Sequence, residues 1–118
     1  MQRKPTKNTR GPNADEKRFQ GWLKDGGWCV ACDEYHPVVV HHCEGATFKH
    51  NKVLVGHWFC LPLCAGCDDV VTTGSRRAFR EKFGSQSDLW LSVINDYLCE
   101  TGCGVPSDVR YAIEDWNK

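Results

Sequence analysis

Two stretches of sequence decide the fold: CVACDEYHPVVVHHC at residues 29–43 and GHWFCLPLCAGCDD at residues 56–69. Each stretch contains one Cys-x-x-Cys pair; the first also contains a histidine pair, and the second ends in adjacent aspartates. Thiol, imidazole and carboxylate groups are the side chains that bind metal ions in proteins. The choice lies between one metal site, two metal sites and a core that is rich in sulfur and imidazole.

The chain has 118 residues and eight cysteines, which suit either a disulfide framework or metal ligation. Its first 18 residues, MQRKPTKNTRGPNADEKR, contain no apolar run of the length that export or a membrane span needs. We therefore expect a cytoplasmic protein without membrane contact. Because a cytosolic chain keeps its thiols reduced, metal binding is favoured over disulfides.

The two pairs, Cys29 with Cys32 and Cys64 with Cys67, have the spacing of a four-cysteine zinc site. Thiolates three residues apart across a tight turn can face one ion, with Zn–S bonds of about 2.3 Å. The alternatives are free buried thiols, which would not fall into matched pairs, and a redox motif, which would lie near a βαβ pattern. We predict a structural Zn²⁺ whose binding contributes on the order of 10 kcal/mol to folding.

Charge is unevenly distributed although the formal net charge is zero. Residues 1–18 hold six Lys/Arg against two Asp/Glu, and the remaining hundred hold nine against thirteen. We expect residues 1–12 to form a disordered basic tail and residues 13–118 to form a single domain. The tail either contacts nucleic acid phosphates or is simply solvated.

Caps, glycines and apolar runs predict an α+β fold. A helix begins at Asn13, with acids in its first turn, and ends at the glycine pair 26–27. Apolar and β-branched runs predict strands at 38–40 and 53–61, separated by a turn-rich loop that includes His50 and Asn51. Further helices are expected at 65–71, from Ser75 to Gly84, from Ser85 or Ser87 onward, and from Pro106 onward.

The adjacent histidines His41 and His42 follow the first strand directly. Neighbouring side chains in a strand point to opposite faces, so the two imidazoles cannot share one task equally. Either one binds a metal while the other contacts a substrate or a water, or one is exposed and the other is a hydrogen-bonded core histidine.

The order of a Cys-x-x-Cys pair, a strand ending in histidines, a loop, a second strand and LCxxC resembles an HNH (ββα-metal) nuclease. A closer resemblance is to the phage recombination-enhancement (Ref-like) nucleases, whose core is similar to HHC…GHWFCLPLCAGCDD. It extends through RRAFREKFG at residues 76–84 and LWLSVINDYL, and covers about residues 13–98. The resemblance implies a zinc-stabilised ββα-metal core with flanking helices, and a divalent-metal-dependent DNA endonuclease that can depend on a RecA filament.

The resemblance also implies roles for single residues. His41 corresponds to a ligand of the catalytic ion, His42 to the general base, and Asp68 to the ligand at the helix start. Phe59 stands about where the family has its middle asparagine, so His57 is either the substitute for that residue or a third ligand.

At the last knuckle, Cys67 and Asp68 replace the histidines that are usual in the family. Cysteine is a sound zinc ligand, and an aspartate oxygen suits Mg²⁺ or Mn²⁺ as the catalytic ion. Asp69 is an alternative ligand at the same helix start. Both aspartates can instead serve only as favourable charges at a helix N-terminus.

Basic residues follow the second knuckle closely. They are candidates for contacts with DNA phosphates, and the alternative is a solvated helix face. The four are Arg76, Arg77, Arg80 and Lys82.

Four cysteines remain outside the two pairs: Cys43, Cys60, Cys99 and Cys103. The last two can form a second zinc site with His36 or Cys43, or all four are ordinary thiols.

Three functions therefore compete. The first is a phage HNH endonuclease that acts in DNA recombination. The second is a catalytically degenerate HNH module that keeps its zinc and binds DNA or a protein, with activity lost at Asp68. The third is a small zinc protein that inhibits a host protein. The zero net charge is compatible with this function, because proteins that bind DNA are usually basic.

Overall fold

Helices and short antiparallel strands alternate along the chain in a computed structural model, which describes residues 13–44, 48–50 and 52–116. The α+β prediction is confirmed, whereas the predicted disordered tail at residues 1–12 lies outside the described residues. Among the described helices, none has the length and apolar character needed to cross a membrane. In chain order the elements are α1 (Ala14–Gly26), β1 (Trp28–Cys29), β2 (Glu34–Tyr35), β3 (Val38–His42), β4 (Lys49–His50), β5 (Val53–Leu54), a 3₁₀ turn (Gly56–Trp58), β6 (Cys60–Cys64), α2 (Ala65–Asp69), a π-helical turn (Val70–Gly74), α3 (Arg76–Phe83), α4 (Gln86–Thr101) and α5 (Ser107–Trp116).

Helix α1 begins with a capping box. The Asn13 side chain accepts a hydrogen bond from the Glu16 amide at 2.8 Å, and the Glu16 carboxylate accepts one from the Asn13 amide at 2.9 Å. The helix ends at Gly27, whose φ of 60° is a left-handed conformation that glycine adopts without steric cost. Phe19 and Leu23 are buried, which fixes α1 against the sheet.

The central element is the antiparallel pair of β3 and β6. Its register runs from Val38 opposite Cys64 to His42 opposite Cys60. The predicted strand at 53–61 is wrong in its extent, because the chain turns at Gly56, where φ is 58°, and starts β6 only at Cys60. That turn splits the apolar run between the small β4–β5 hairpin and the central pair.

His50 lies in β4, although the sequence suggested a loop, and its Nε2 is 2.8 Å from an Asp115 Oδ2 on α5. The hairpin pairing of β4 with β5, together with the contact to Asp115 that lies 65 residues away, explains this difference. Asn51, also predicted to lie in that loop, is outside the described residues.

Serine caps start α3 and α4. Ser75 accepts from the Ala78 amide at 3.0 Å, and Ser85, rather than Ser87, accepts from the Asp88 amide at 3.1 Å. The predicted helix at 65–71 is α-helical to Asp69 and continues as the π-helical turn. These caps set where α3 and α4 begin, and α4 packs against β6.

One aromatic cluster lies beneath the sheet and the helices. Phe19, Phe59 and Phe79 are fully buried, as are Trp90 and Tyr97. The Trp90 indole N–H donates to the Trp58 carbonyl at 2.7 Å, so even the polar edge of this large side chain is satisfied. Helices α1 and α4 and strand β6 pack on this core, which thereby holds the elements that carry the cysteine and histidine residues.

Candidate functional site

The four paired cysteines converge on one point. Their Sγ atoms all lie within 4.8 Å of one another, and the Cys32 and Cys64 sulfurs are 4.0 Å apart. Four sulfurs around a zinc ion at Zn–S distances of about 2.3 Å would lie about 3.8 Å apart. The cluster therefore fits a tetrahedral metal such as zinc.

Local backbone structure brings each cysteine pair to this point. Cys29 ends β1, and the Asp33 amide donates to its carbonyl at 2.8 Å to close the turn that carries Cys32. Asp33 itself has a φ of 60°, a conformation that aspartate tolerates better than most side chains. Cys64 ends β6 and Cys67 follows in the first turn of α2.

The two knuckles are tied to each other by the backbone. The Val30 amide, inside the first knuckle, donates to the Pro62 carbonyl of β6 at 3.0 Å. Pro62 lacks an amide hydrogen, but its carbonyl remains free to accept. This bond fixes the distance between the knuckles independently of the sulfurs.

The thiols differ in acidity. Burial acts to raise the pKa of Cys29, but hydrogen bonds from the backbone at Cys32, Cys64 and Ala31 outweigh it and lower the pKa to about 7. The pKa values of Cys32 and Cys67 are raised, by burial first and then by hydrogen bonds with neighbouring thiols. Cys29 therefore ionises more readily than Cys32 or Cys67, and a bound metal ion would favour the thiolate form of its ligands.

A second group of polar side chains surrounds His41. Its Nδ1 is 3.1 Å from an Asp68 Oδ1, and its Nε2 is 3.3 Å from the Gln86 Oε1. The His41 side chain is only 11% exposed, and Asp68 is 28% exposed. A strand residue, a residue of α2 and a residue of α4 therefore form one half-buried polar cluster.

His42 faces a different partner. Its Nε2 is 3.5 Å from the His57 Nδ1, and the two rings meet edge to face. Burial, followed by the nearby His57 and His41, lowers the pKa of His42 below its ordinary value. His42 is exposed at its edge, so water can reach this pair.

The two histidines of the pair thus serve separate clusters, as their alternation in β3 requires. His41 meets Asp68, whereas His42 meets His57. Within residues 13–44, 48–50 and 52–116, the four cysteines are the one group of three or more potential ligands with atoms within 4.8 Å of one another. His41, His42 and Asp68 do not form such a group.

Helix α1 holds the His57 backbone on both sides. The Glu16 Oε2 accepts from the His57 amide at 3.0 Å, and the Gln20 Nε2 donates to the His57 carbonyl at 3.2 Å. The Cys60 thiol donates to the same carbonyl at 3.0 Å. The sequence pattern indicated Glu16 only as an acid of the first helical turn and did not indicate Gln20 or Gln86, because the contacts of these two residues span at least 37 residues.

The four predicted basic residues have different surroundings. Arg76 contacts the Glu44 carboxylate at 2.6 Å, and its Nη2 donates to the Cys43 carbonyl. Together with Arg80 it lines a cavity of about 210 Å³ that also includes Gln86.

The other two basic residues interact along their own helix. Arg77 pairs with Glu81 one turn away, and the Lys82 ammonium lies 5.3 Å from the centre of the Phe83 ring. Only Arg76 and Arg80 therefore share a cavity with a neighbour of His41.

The remaining candidates are accounted for locally. Asp69 accepts from the Thr73 hydroxyl at 2.8 Å, whereas the His41 contact is made by Asp68. Burial raises the pKa of Cys43 well above the ordinary thiol value, and burial raises that of Cys60 to about 12. Cys99 is exposed and Cys103 half-buried, and within the described residues neither belongs to a group of potential metal ligands.

The geometry comprises a cluster of four thiols that can hold a structural metal, and two polar pairs at the end of the central strands. Its chemistry is that of a metal-stabilised scaffold with histidine and carboxylate groups at its surface. No known protein family, curated protein or solved structure matches the chain.

Proposed function

We propose that the chain is a divalent-metal-dependent DNA endonuclease of the HNH type. In this proposal β3, β6 and α2 form the ββα-metal core, and the four cysteines hold a structural Zn²⁺. The single observation that carries the proposal is the 3.1 Å contact between His41 Nδ1 and Asp68 Oδ1, which joins the strand to the helix that follows β6.

His41 and Asp68 would hold the catalytic Mg²⁺ or Mn²⁺. The carboxylate oxygen of Asp68 suits such ions, which keep several waters and need few protein ligands, and the His41 imidazole would complete the protein's share of the ligands. When bound, a divalent ion offsets the negative charge that develops on phosphate oxygens during hydrolysis. Gln86, 3.3 Å from the other His41 nitrogen, fixes the orientation of the ring.

His42 would act as the general base. A neutral imidazole can take a proton from water near pH 7, and the exposed edge of His42 is open to water. His57, 3.5 Å from the His42 Nε2, would orient that ring. In this role His57 substitutes for the middle residue of the HNH pattern, in preference to serving as a third metal ligand.

The cavity with Arg76 and Arg80 would receive a DNA phosphate beside Gln86, the neighbour of His41, and Arg76 would exchange its Glu44 partner for that phosphate. Arginine pairs with phosphate oxygens through two parallel hydrogen bonds. Arg77 and Lys82 would contribute only to the general positive potential, since they point along the helix surface. The resemblance further suggests phage recombination in a bacterial cytoplasm, with a RecA filament that presents the DNA.

Cleavage of single-stranded and duplex DNA tests this function. The zinc-loaded protein is assayed with Mg²⁺ or Mn²⁺, with and without a RecA filament, beside the variants His42→Ala and His36→Ala. We expect the parent and His36→Ala to cleave, and His42→Ala to lose about 10²–10⁴-fold in rate. Cleavage that survives in His42→Ala would remove His42 from the role of base.

A degenerate HNH module that binds DNA, or inhibits a host protein, is the second candidate. One observation favours it: His41, His42 and Asp68 do not form a single compact ligand group. Under this alternative every variant binds DNA, or a host protein, and none cleaves. Absence of cleavage under all conditions by a folded, zinc-loaded chain would support it.

A further inference from the structure

A groove of about 280 Å³ lies on a different part of the surface from the histidines. Two tryptophans and a tyrosine line it and are called here its aromatic side, and the two carboxylates of α4 that also line it are called its acidic side. The residues that matter are Trp22, Trp28, Tyr35, Asp96 and Glu100. The proposed function uses none of them.

Hydrogen bonding holds the Trp28 ring on the aromatic side of the groove. Trp28 and Tyr35 stand directly opposite each other in the β1–β2 pair, so their side chains lie on the same face of that hairpin. The Trp28 indole N–H donates to Asp33 at 2.8 Å, whereas Tyr35 is 81% exposed. An exposed tyrosine ring beside an anchored tryptophan offers a flat surface for stacking.

Trp22 completes this aromatic side from α1. Its ring lies 5.0 Å from that of the buried Tyr97, and its indole N–H donates to Glu100 at 3.2 Å. The core therefore holds the ring, and the hydrogen bond sets its orientation.

The acidic side of the groove is not neutralised. Asp96 and Glu100 lie one turn apart on the same face of α4 and are both exposed. Asp96 has no hydrogen-bond or ion-pair partner in the part of the chain that the structure describes, and no lysine or arginine there lines the groove. Two like charges at this spacing repel each other, so a cation between them would be stabilising.

We propose that this groove binds the guanidinium group of an arginine side chain on a partner protein. The planar guanidinium stacks on aromatic faces and donates in a fork that matches carboxylates, whereas the compact lysine ammonium stacks poorly. The carboxylates also exclude the other ligand that aromatic rings attract, a stacked nucleotide, because they repel its phosphate. Charge complementarity thus selects a basic protein segment.

Three capped tripeptides test the chemistry of the ligand: Gly-Arg-Gly, Gly-Lys-Gly and Gly-citrulline-Gly, in which citrulline is the neutral analogue of arginine. Each is titrated into ¹⁵N-labelled, zinc-loaded protein while the indole N–H resonances of Trp22 and Trp28 are followed. We expect saturable shifts of both resonances with the arginine peptide, weaker shifts with lysine and none with citrulline. Equal shifts with arginine and citrulline, or no indole shifts with arginine, would overturn the proposal.

The double variant Asp96→Asn, Glu100→Gln tests the acidic side without removing packing volume. Because both side chains are exposed, we expect the variant to keep the fold. Indole N–H resonances as well dispersed as those of the parent would verify this. We expect the arginine peptide to bind about fivefold or more weakly, as loss of two exposed charge pairs implies. The matched control, Glu81→Gln with Glu114→Gln, lies outside the groove and should bind like the parent. Unchanged affinity in the first double variant would contradict the proposal.

Discussion

The cysteine cluster and the histidine pairs meet the central strands at Cys64 of β6 and at His41 and His42 of β3, yet the chain assembles the two groups in different ways. Four sulfurs meet within 4.8 Å because each pair crosses a tight turn, where residues three apart face one side. His41 and His42 are adjacent in an extended strand. His41 contacts Asp68, and His42 contacts His57. Close spacing in sequence therefore produces a shared site in a turn and separate sites in a strand.

Loss of the metal from the cysteine cluster should have the largest effect. The Cys64→Ser variant, or a strong chelator, removes binding energy on the order of 10 kcal/mol, more than the total stability of many small domains. We expect loss of the cooperative unfolding transition in circular dichroism, and one zinc per chain in the parent by metal analysis. Cys99→Ser should keep both the metal and the fold. Two zincs per chain would place metal on the remaining thiols or on the histidines.

The two adjacent aspartates test which carboxylate acts together with His41. Asp68 contacts His41, whereas Asp69 bonds to Thr73. We expect Asp68→Asn to lower metal-dependent cleavage about 100-fold or more, because a bound ion supplies several kcal/mol of charge stabilisation. Asp69→Asn is the matched control and should cleave within a few-fold of the parent. Equal losses in both variants would indicate a helix-terminus effect rather than a ligand.

Glu16 tests how the second histidine pair is held. This buried carboxylate accepts from the Asn13 and His57 amides, so Glu16→Ala leaves two donors unsatisfied. We expect a loss of about 1–3 kcal/mol in unfolding free energy, measured with urea, and a shifted His57 imidazole resonance. Glu16→Gln keeps one acceptor oxygen and should recover part of both effects. An unchanged His57 resonance in Glu16→Ala would show that α1 does not position that residue.

The smallest expected effect is a pH dependence of stability that arises from Cys60, a buried thiol outside the metal cluster. Burial raises its pKa from 9.0 to about 12, so the folded state holds the proton while the unfolded state loses it above pH 9. Its contribution to stability is complete below pH 9 and is lost as the pH rises toward 12. The stability difference between the parent and Cys60→Ala, measured with urea, should therefore shrink between pH 8.5 and pH 10.5. A difference that stays constant would contradict the buried, protonated thiol.

Short-range chemistry made much of this structure predictable. The Asn13 cap, the Ser75 cap and the spacing of Cys29 and Cys32 act within three residues, and each appears in the fold as expected. The strand predicted at 53–61 failed because the left-handed turn at Gly56 interrupts an apolar run that looks continuous in sequence.

Long-range contacts explain what the sequence could not supply. His57 meets His42 across 15 residues, and Gln86 reaches His41 across 45. No periodicity or motif encodes such contacts, since they depend on how α4 and the 3₁₀ turn pack against β3. The roles of single histidines therefore needed the fold, whereas the cysteine cluster did not.

Mn²⁺ binding to the zinc-loaded chain tests most directly whether the histidine region holds a second ion. Substoichiometric Mn²⁺ is added while the imidazole resonances of all five histidines are followed by NMR. We predict that paramagnetic broadening is strongest at His41, persists in Asp69→Asn and is lost in Asp68→Asn. Broadening centred on another residue, or none in the folded parent, would contradict a catalytic metal site at His41 and Asp68.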